Sequence, residues 1–397
     1  ADNLKAITAE CVRAGLFPVA MQFSGIIDLF SYINSLDTEL NIIIDEYPYL
    51  KQSGRKGEID SIMQAVIDHL PKNVKIILCG SYVSIMKELL EESNPLFGRF
   101  SLIQHVKDFD YYDSALFYPE LDVHSKIAFY SVFGGSPYVL STLDYGKTLK
   151  ENIISMILKD SGIIKSHVEN IILTEIQKNY DVRILESIGN GKRKYSEIRD
   201  IVSRDDKGLL DKQLKTLLDM ETIVKTEPIN RRNDKKKRFY SIEDNLLRFY
   251  FTFVFGRAGT ITRIGEELYF KNNIENAINQ FISRRFEDVA LQYFHRMAVK
   301  GVMSDIEDFG SYWYDNPINK NNGEFDVVIK RFGDLYDFYE CKYYKKPMSL
   351  DECKKEEEQL NNIQGIDVAN IGFVSASGFS FKKHKGYTLI DGDMLYT

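Results

Sequence analysis

Two stretches of this chain carry residue types that could do chemistry. In LNIIIDEYPYL (residues 40–50) an apolar run ends on two adjacent carboxylates, Asp45 and Glu46. A strand that delivers two acids at its C-terminal edge can hold a magnesium ion, usually through water, on the first acid. The second can polarise an attacking water. The next apolar run, VKIILCGS, ends on Ser81, and SNPLFGRF then offers Arg99 as a cation for charge developing on a transferred phosphoryl group. The second stretch is GEFDVVIKRFGDLYDFYECKYYKKP (residues 323–347). Asp326 lies early in one strand-like run, and Glu340 and Lys342 lie in the next, where alternation puts both on one face. Two acids from neighbouring strands can share a divalent cation, and a lysine beside them can orient or deprotonate a water. Glu287, in the helical SRRFEDVALQYF, would complete the acidic set. Each motif has a plainer alternative. Apolar runs often end on acids, and Glu340 with Lys342 alone would be an ordinary surface ion pair.

These residues need elements to position them. NIIID and VKIILCGS are short runs rich in β-branched residues. Between them Ile59, Ile62, Met63, Val66, Ile67 and Leu70 recur at helical spacing. This β-α-β order predicts an α/β layer with a parallel sheet. From about residue 110 to 165 the pattern is helical, with a break at FGGSPY. Residues 166–245 are helix-rich and close on two short strand candidates around NRRNDKKK. Ile184, Leu185 and Ile188 start one apolar helix face, Tyr195, Ile198 and Ile201 a second, and Leu209, Leu210, Leu214, Leu217 and Leu218 a third. Three helices and a hairpin is the winged-helix order. In that arrangement Lys212, Gln213 and Lys215 face a DNA groove, and Arg231, Arg232, Lys235, Lys236, Lys237 and Arg238 form a basic wing for phosphates. Asp205, Asp206 and Asp211 weigh against tight DNA binding, and a packing module is the alternative. Residues 246–397 begin with aromatic-rich helices and end in strands, a separate α/β domain.

The chain has 397 residues, room for two or three domains. Hydrophobic residues make up 44% and aromatic residues 13%, enough for sizeable cores. The net charge of −7 means that any nucleic-acid contact needs a local basic patch. Cys11, Cys79, Cys341 and Cys353 show no metal-ligand spacing and read as free thiols in a reducing cytoplasm. No apolar run approaches a membrane span and no signal-peptide pattern opens the chain, so a cytoplasmic protein with no membrane partner is expected.

The ordered set IIIDEYPYL, ILCGSYVSIM, SNPLFGRF, FDYYDSALFYP, YSVFGGSPYVL and LKENIISMIL resembles the archaeal-type ATPases, members of the AAA+/STAND group of P-loop proteins. The likeness runs through essentially the whole chain. It implies that Asp45 and Glu46 are a Walker B pair, Ser81 a sensor, and Arg99 an arginine finger or sensor. It makes GGSPY, with Gly134, Gly135 and Pro137, the lid motif near the nucleotide base, and it implies ATP and Mg2+ as cofactors. The C-terminal region is similar to the PD-(D/E)xK nuclease superfamily through Phe286–Glu287, GSYWYD, Glu324–Asp326 and Glu340–Lys342. That likeness implies Glu287, Asp326 and Glu340 as metal ligands and Lys342 as the catalytic lysine.

The chain departs from the ATPase pattern in one place. No G-x-x-x-x-G-K-[ST] loop is present to cradle phosphates. GKT at 146–148 follows the lid motif and has Ser141 five positions before Gly146, so Lys147 reads as a solvent-facing residue at a helix start. Either a P-loop lies upstream of Ala1, the favoured expectation, or the chain does not bind ATP tightly. The expected architecture is α/β: a truncated P-loop domain over 1–165 with its helical lid from about 110, a winged helix over 166–245, and a nuclease-like domain over 246–397. The expected function is an ATP-binding and ATP-hydrolysing regulator coupled to a DNA-binding winged helix and a nuclease-like effector. A Mg-dependent DNA endonuclease and a non-enzymatic scaffold are the alternatives. ATP is the expected partner, with DNA and further copies of the chain as candidates.

Overall fold

The computed structural model describes residues 2–36, 38–55, 57–81, 83–176, 180–202, 207–316, 321–363 and 365–397. Contacts divide the chain into two units, Ala1–Val106 and Lys107–Thr397. The architecture is mixed α/β.

In the first unit β1 (Leu40–Ile44) and β2 (Val74–Leu78) pair in parallel, from Leu40↔Val74 to Ile44↔Leu78. The helix Glu58–Asp68 makes the crossover and buries Ile59, Met63 and Val66. This is the β-α-β unit that the spacing predicts. The turn after β1 is fastened to the crossover helix through buried Asp60. Its carboxylate accepts from Tyr47 Oη at 2.8 Å and Asn94 Nδ2 at 2.9 Å, and Lys51 Nζ lies 3.2 Å away. Each of these bonds costs little once made and would be costly to lose in a buried site.

In the second unit the helix Val123–Phe133 is buried at every position from Ile127 to Phe133. A helix that is apolar all round belongs to a core. It packs on the helices Asn245–Phe253 and Ile278–Val299. Arg296 clamps the preceding turn, with Nη1 2.6 Å from Asp110 and 3.2 Å from Asp113. The helical stretch from about 110 therefore shares the core of the second unit, and the division by contacts falls at 106/107 and not at 165. Helices Arg183–Gly189, Tyr195–Val202 and Lys207–Asp219 follow, then the antiparallel hairpin of β3 (Ile223–Thr226) and β4 (Phe239–Ile242).

The chain closes on a five-stranded sheet of order β5-β6-β7-β8-β9. Its strands are β5 (Ile306–Asn316), β6 (Asn321–Arg331), β7 (Leu335–Lys342), β8 (Asp367–Ser375) and β9 (Tyr387–Asp391). β5, β6 and β7 run antiparallel, and β7, β8 and β9 run parallel. Residues 336–341 of β7 are all buried, as a central strand covered on both faces requires. One cover is the helix Ile278–Val299, whose Phe294 ring lies 4.3 Å from that of Tyr339. No described helix is long and apolar enough to cross a membrane.

Candidate functional site

β1 ends at Ile44, and the next two residues are the carboxylates. Asp45 is exposed, and Glu46 turns the chain with a left-handed backbone, φ 50°. A non-glycine residue held there costs on the order of 1 kcal/mol and persists where its surroundings enforce it. The enforcement comes from β2. Cys79 donates from its backbone N to Ile44 O at 3.0 Å, and Tyr47 donates from its N to Cys79 O at 2.9 Å. Ser81 thereby comes beside Glu46, and its hydroxyl donates to Glu46 Oε1 at 3.0 Å. The structure thus brings Asp45, Glu46 and Ser81 together. Arg99 is engaged elsewhere. Its guanidinium forks onto Asp68 at 2.7 and 3.0 Å and donates to Pro95 O at 2.8 Å.

Gly134, Gly135 and Pro137 lie in the second unit, where each has a structural task. Gly134, at φ 72°, ends the helix Val123–Phe133, and Pro137 opens the helix Pro137–Thr142. Gly135 accepts from Phe109 N at 3.1 Å, and a Cβ on it would sit 1.8 Å from Phe109 O. Lys147 pairs with Asp144 at 2.8 Å, half-exposed just before a capped helix start, in line with its solvent-facing reading.

The second constellation is built on two neighbouring strands and one helix. The register Val327↔Tyr339 leads Asp326 to the position opposite Glu340. Asp326 Oδ2 accepts from the Cys341 backbone N at 2.9 Å. Lys342 Nζ donates to Glu340 Oε1 at 2.6 Å. Glu340 is 8% exposed, and its Oε2 is buried with no hydrogen-bond partner among the described residues. Glu287 joins from the helix Ile278–Val299.

Burial and mutual repulsion raise all three acids. Glu287 is pushed up to about 7 by burial, then by Asp288, Glu324 and Glu340, with Arg285 opposing. Asp326 is pushed up to about 7 by burial, then by Glu287, while the Cys341 N–H and Lys342 pull it back. Glu340 is pushed up to about 8 by burial, then by Asp326, against the pull of Lys342. The set therefore carries more negative charge than its surroundings support, the condition that a bound cation relieves. The donors are hard carboxylate oxygens, one of them orphaned, which fits a divalent cation. Among the described residues no three His, Cys, Asp or Glu side chains stand close enough to form a ready-made metal cage. Asp326 is tied to the Cys341 backbone N and Glu340 to Lys342.

The sequence reading missed Glu356 of the helix Leu350–Glu357, whose Oε1 lies 3.1 Å from Lys342 Nζ. Nothing in KKEEEQ distinguishes it from a solvated helix face.

The basic residues divide into tethered and exposed groups. Arg232 pairs with Asp308 at 2.6 Å, and Arg238 with Glu227 at 2.6 Å. Lys237 Nζ lies 3.2 Å from the centroid of the Trp313 ring. Asn230 accepts from Trp313 N at 3.1 Å and donates to Trp313 O at 2.7 Å, so the hairpin loop is docked on edge strand β5. Arg231, Lys236, Lys212 and Lys215 are exposed. The side chain of Lys235 and residues Asp205 and Asp206 lie outside the described ones.

Residues 250–359 match a family of archaeal and bacterial proteins of unknown function (DUF234). That segment contains Glu287, Asp326, Glu340, Lys342 and Glu356, the whole of the second constellation. Over 345 residues the chain is 25% identical to an uncharacterized protein of Methanocaldococcus jannaschii, covering 83% of this chain and 76% of that protein. A solved Walker-type ATPase of Pyrococcus abyssi aligns with a TM-score of 0.46 and 21% identity, over 62% of this chain and 77% of that one.

Proposed function

We propose that the protein is a nucleotide-responsive regulator whose second unit carries a divalent-metal site for phosphodiester chemistry. The observation that carries this reading is the crowded set of Glu287, Asp326 and Glu340 beside Lys342, with Glu340 Oε2 buried and unpartnered among the described residues. Glu287, Asp326 and Glu340 would hold the cation. When bound, such a cation supplies Lewis-acid polarisation of a phosphoryl oxygen and a more acidic water. The ammonium of Lys342 would neutralise charge growing on the phosphoryl oxygens.

The nucleotide part rests on the bond from Ser81 to Glu46 at the end of a parallel strand pair. In this reading Asp45 holds Mg2+, Glu46 polarises the attacking water, and Ser81 keeps Glu46 oriented. Arg99 belongs to the same nucleotide reading and would first have to leave Asp68; Gly134, Gly135 and Pro137, in the second unit, enter it only as the lid motif of the family resemblance. The phosphates would need the backbone amides of a P-loop, a motif that these 397 residues do not contain. For the winged-helix reading, Lys212, Lys215, Arg231 and Lys236 are the DNA-facing subset, because Arg232, Lys237 and Arg238 already have partners within the unit.

The test is cleavage of labelled single- and double-stranded DNA with Mn2+ or Mg2+, with and without ATP. Glu340→Gln and Lys342→Ala should abolish cleavage while leaving the unfolding transition of the second unit in place. Cleavage that survives Lys342→Ala sinks the phosphodiester reading. Cleavage indifferent to ATP and to Glu46→Gln favours a plain Mg-dependent endonuclease over a regulator.

A further inference from the structure

Two loops near the acid set carry cations and no acids. Residues 343–349 (YYKKPMS) and 376–390 (ASGFSFKKHKGYTLI) hold Lys345, Lys346, Lys382, Lys383 and Lys385 without an Asp or Glu among them, in a chain of net charge −7. All five lysines are exposed, and among the described residues none forms an ion pair. A lysine run on a solvated loop can do no more than favour solubility. Two observations set this one apart.

The first is that the loops are firmly built. Met348 pairs with Phe379, its N donates to Gly378 O at 2.9 Å, and Ser380 N donates to Met348 O at 2.9 Å. Ser377 Oγ donates to Tyr344 O at 2.7 Å. These ties lace the two loops together. Phe379 and Phe381 pack with Met348, Cys353 and Phe373, and the His384 ring lies 4.4 Å from that of Tyr387. The aromatic side chains are thus turned in and the lysines left to solvent. The second is position. On the helix Leu350–Glu357, Glu356 meets Lys342 at 3.1 Å, and the next residue, Glu357, accepts from Tyr387 Oη. Tyr387 pairs with Ile371, and Ile371 with Phe338, so Tyr387 lies two strands across and two residues back from Glu340, roughly 12 Å away. The other acids of that helix are Glu352, engaged in its capping box, and exposed Asp351, outnumbered by Lys354 and Lys355.

We propose that the surface of Lys345, Lys346, Lys382, Lys383 and Lys385 binds the phosphate backbone of a nucleic acid and leads the strand to Glu287, Asp326 and Glu340. The cations are spread along two laced loops, which suits a chain of phosphates better than one small anion. Lysines are point charges on flexible stems, suited to contacts that read no sequence. Tyr344, 44% exposed between Lys342 and Lys345, offers a ring on which a base can stack. A lipid surface is the poorer fit, because binding there also draws on exposed apolar side chains, and Phe379 and Phe381 are turned into the unit. The approach to a metal rests on the metal-site reading above; the backbone contact does not.

The experiment is binding of a fluorescein-labelled single-stranded oligonucleotide to the full chain, read by anisotropy across a salt series in EDTA, so that cleavage plays no part. Replacing Lys382, Lys383 and Lys385 together by Ala should weaken binding about tenfold or more near 0.1 M salt and flatten the log–log salt slope by about 2, the share of three phosphate contacts. Replacing the same three by Arg should keep both. Lys345→Ala with Lys346→Ala should also weaken binding. The lysines are exposed, so the urea transition followed by Trp313 should stay in place in every variant. An unchanged salt slope in the triple Ala variant overturns the proposal, as does a wild-type chain that binds no oligonucleotide. Loss of binding only on replacing Lys212, Lys215, Arg231 and Lys236 moves the contact to the winged-helix region and overturns it too. Phosphatidylserine vesicles form the second arm. Lysine-dependent capture by vesicles without oligonucleotide binding makes the partner a membrane and overturns the proposal. Salt-dependent oligonucleotide binding through the loop lysines with no cleavage in Mn2+ removes the metal-site reading and leaves this surface standing.

Discussion

Glu287→Gln tests the crowding of the second constellation most directly. Glu287 is raised to about 7 by burial first and then by Asp288, Glu324 and Glu340. In an unfolded chain a glutamate ionises near about 4.3. Between those values the folded protein keeps a proton that the unfolded chain has released. The sign follows: stability falls as pH rises from about 4.3, is lost progressively through about 7, and levels off above. At about 1.4 kcal/mol per pKa unit, one isolated group would lose roughly 3–4 kcal/mol. Asp326 and Glu340 share the same repulsion, so the three contributions do not add, and a single substitution also relieves its neighbours. Glutamine keeps the shape and removes the charge. The variant should exceed wild type by about 2–3 kcal/mol at pH 8.5 and match it to about 0.5 kcal/mol near pH 4.5. Urea unfolding in a chelator measures this. Trp313 is the only tryptophan and lies in the second unit, so its fluorescence follows that unit alone. Saturating Mn2+ at pH 8.5 should reverse the order, because a ligand of the folded carboxylates stabilises wild type by mass action. Equal stabilities at pH 8.5 in chelator would refute the crowding.

On the proposed metal-site reading, the same carboxyls would set the pH dependence of Mn2+ binding. With Glu287 and Asp326 at about 7 and Glu340 at about 8, raising the pH from 6 to 8 should tighten Mn2+ binding by about 100-fold or more and release protons measurable in buffers of different ionisation enthalpy; a pH-independent Kd contradicts it. Gly135→Ala should destabilise the second unit by more than about 3 kcal/mol with or without nucleotide, because its Cβ would meet Phe109 O at 1.8 Å; a near-normal melt would mean that this contact does not form. Asn230→Ala strips both backbone partners from Trp313 and should cost about 1–3 kcal/mol with a shift in tryptophan emission, and unchanged emission would count against the docked hairpin.

Much of the local structure was legible in the residue pattern. The β-branched runs around a helix-spaced segment became β1, the helix Glu58–Asp68 and β2, in parallel register. Alternation put Glu340 and Lys342 on one face, and they bond at 2.6 Å. Three helices and a hairpin follow one another where the apolar spacings predict them. These features are set by short-range sterics and periodicity, and the sequence displays both directly. What the pattern could not show involves partners far apart along the chain. Arg99 reads as a free cation, yet it is spent on Asp68, 31 residues away. The basic wing reads as a phosphate contact, yet Asn230 in the same loop grips Trp313, 83 residues away. Glu356 reads as one of three glutamates on a helix surface, yet it is the one that meets Lys342.

The sequence by itself determined which elements form and which acids, lysine and serine they carry to strand ends, because those follow from the pattern of neighbours along the chain. Only the tertiary structure decided which charges are spent, which are exposed, and which are crowded into a buried set above their ordinary pKa. Those properties depend on burial and on the distance between charges brought together by folding, and neither quantity exists until the chain has packed.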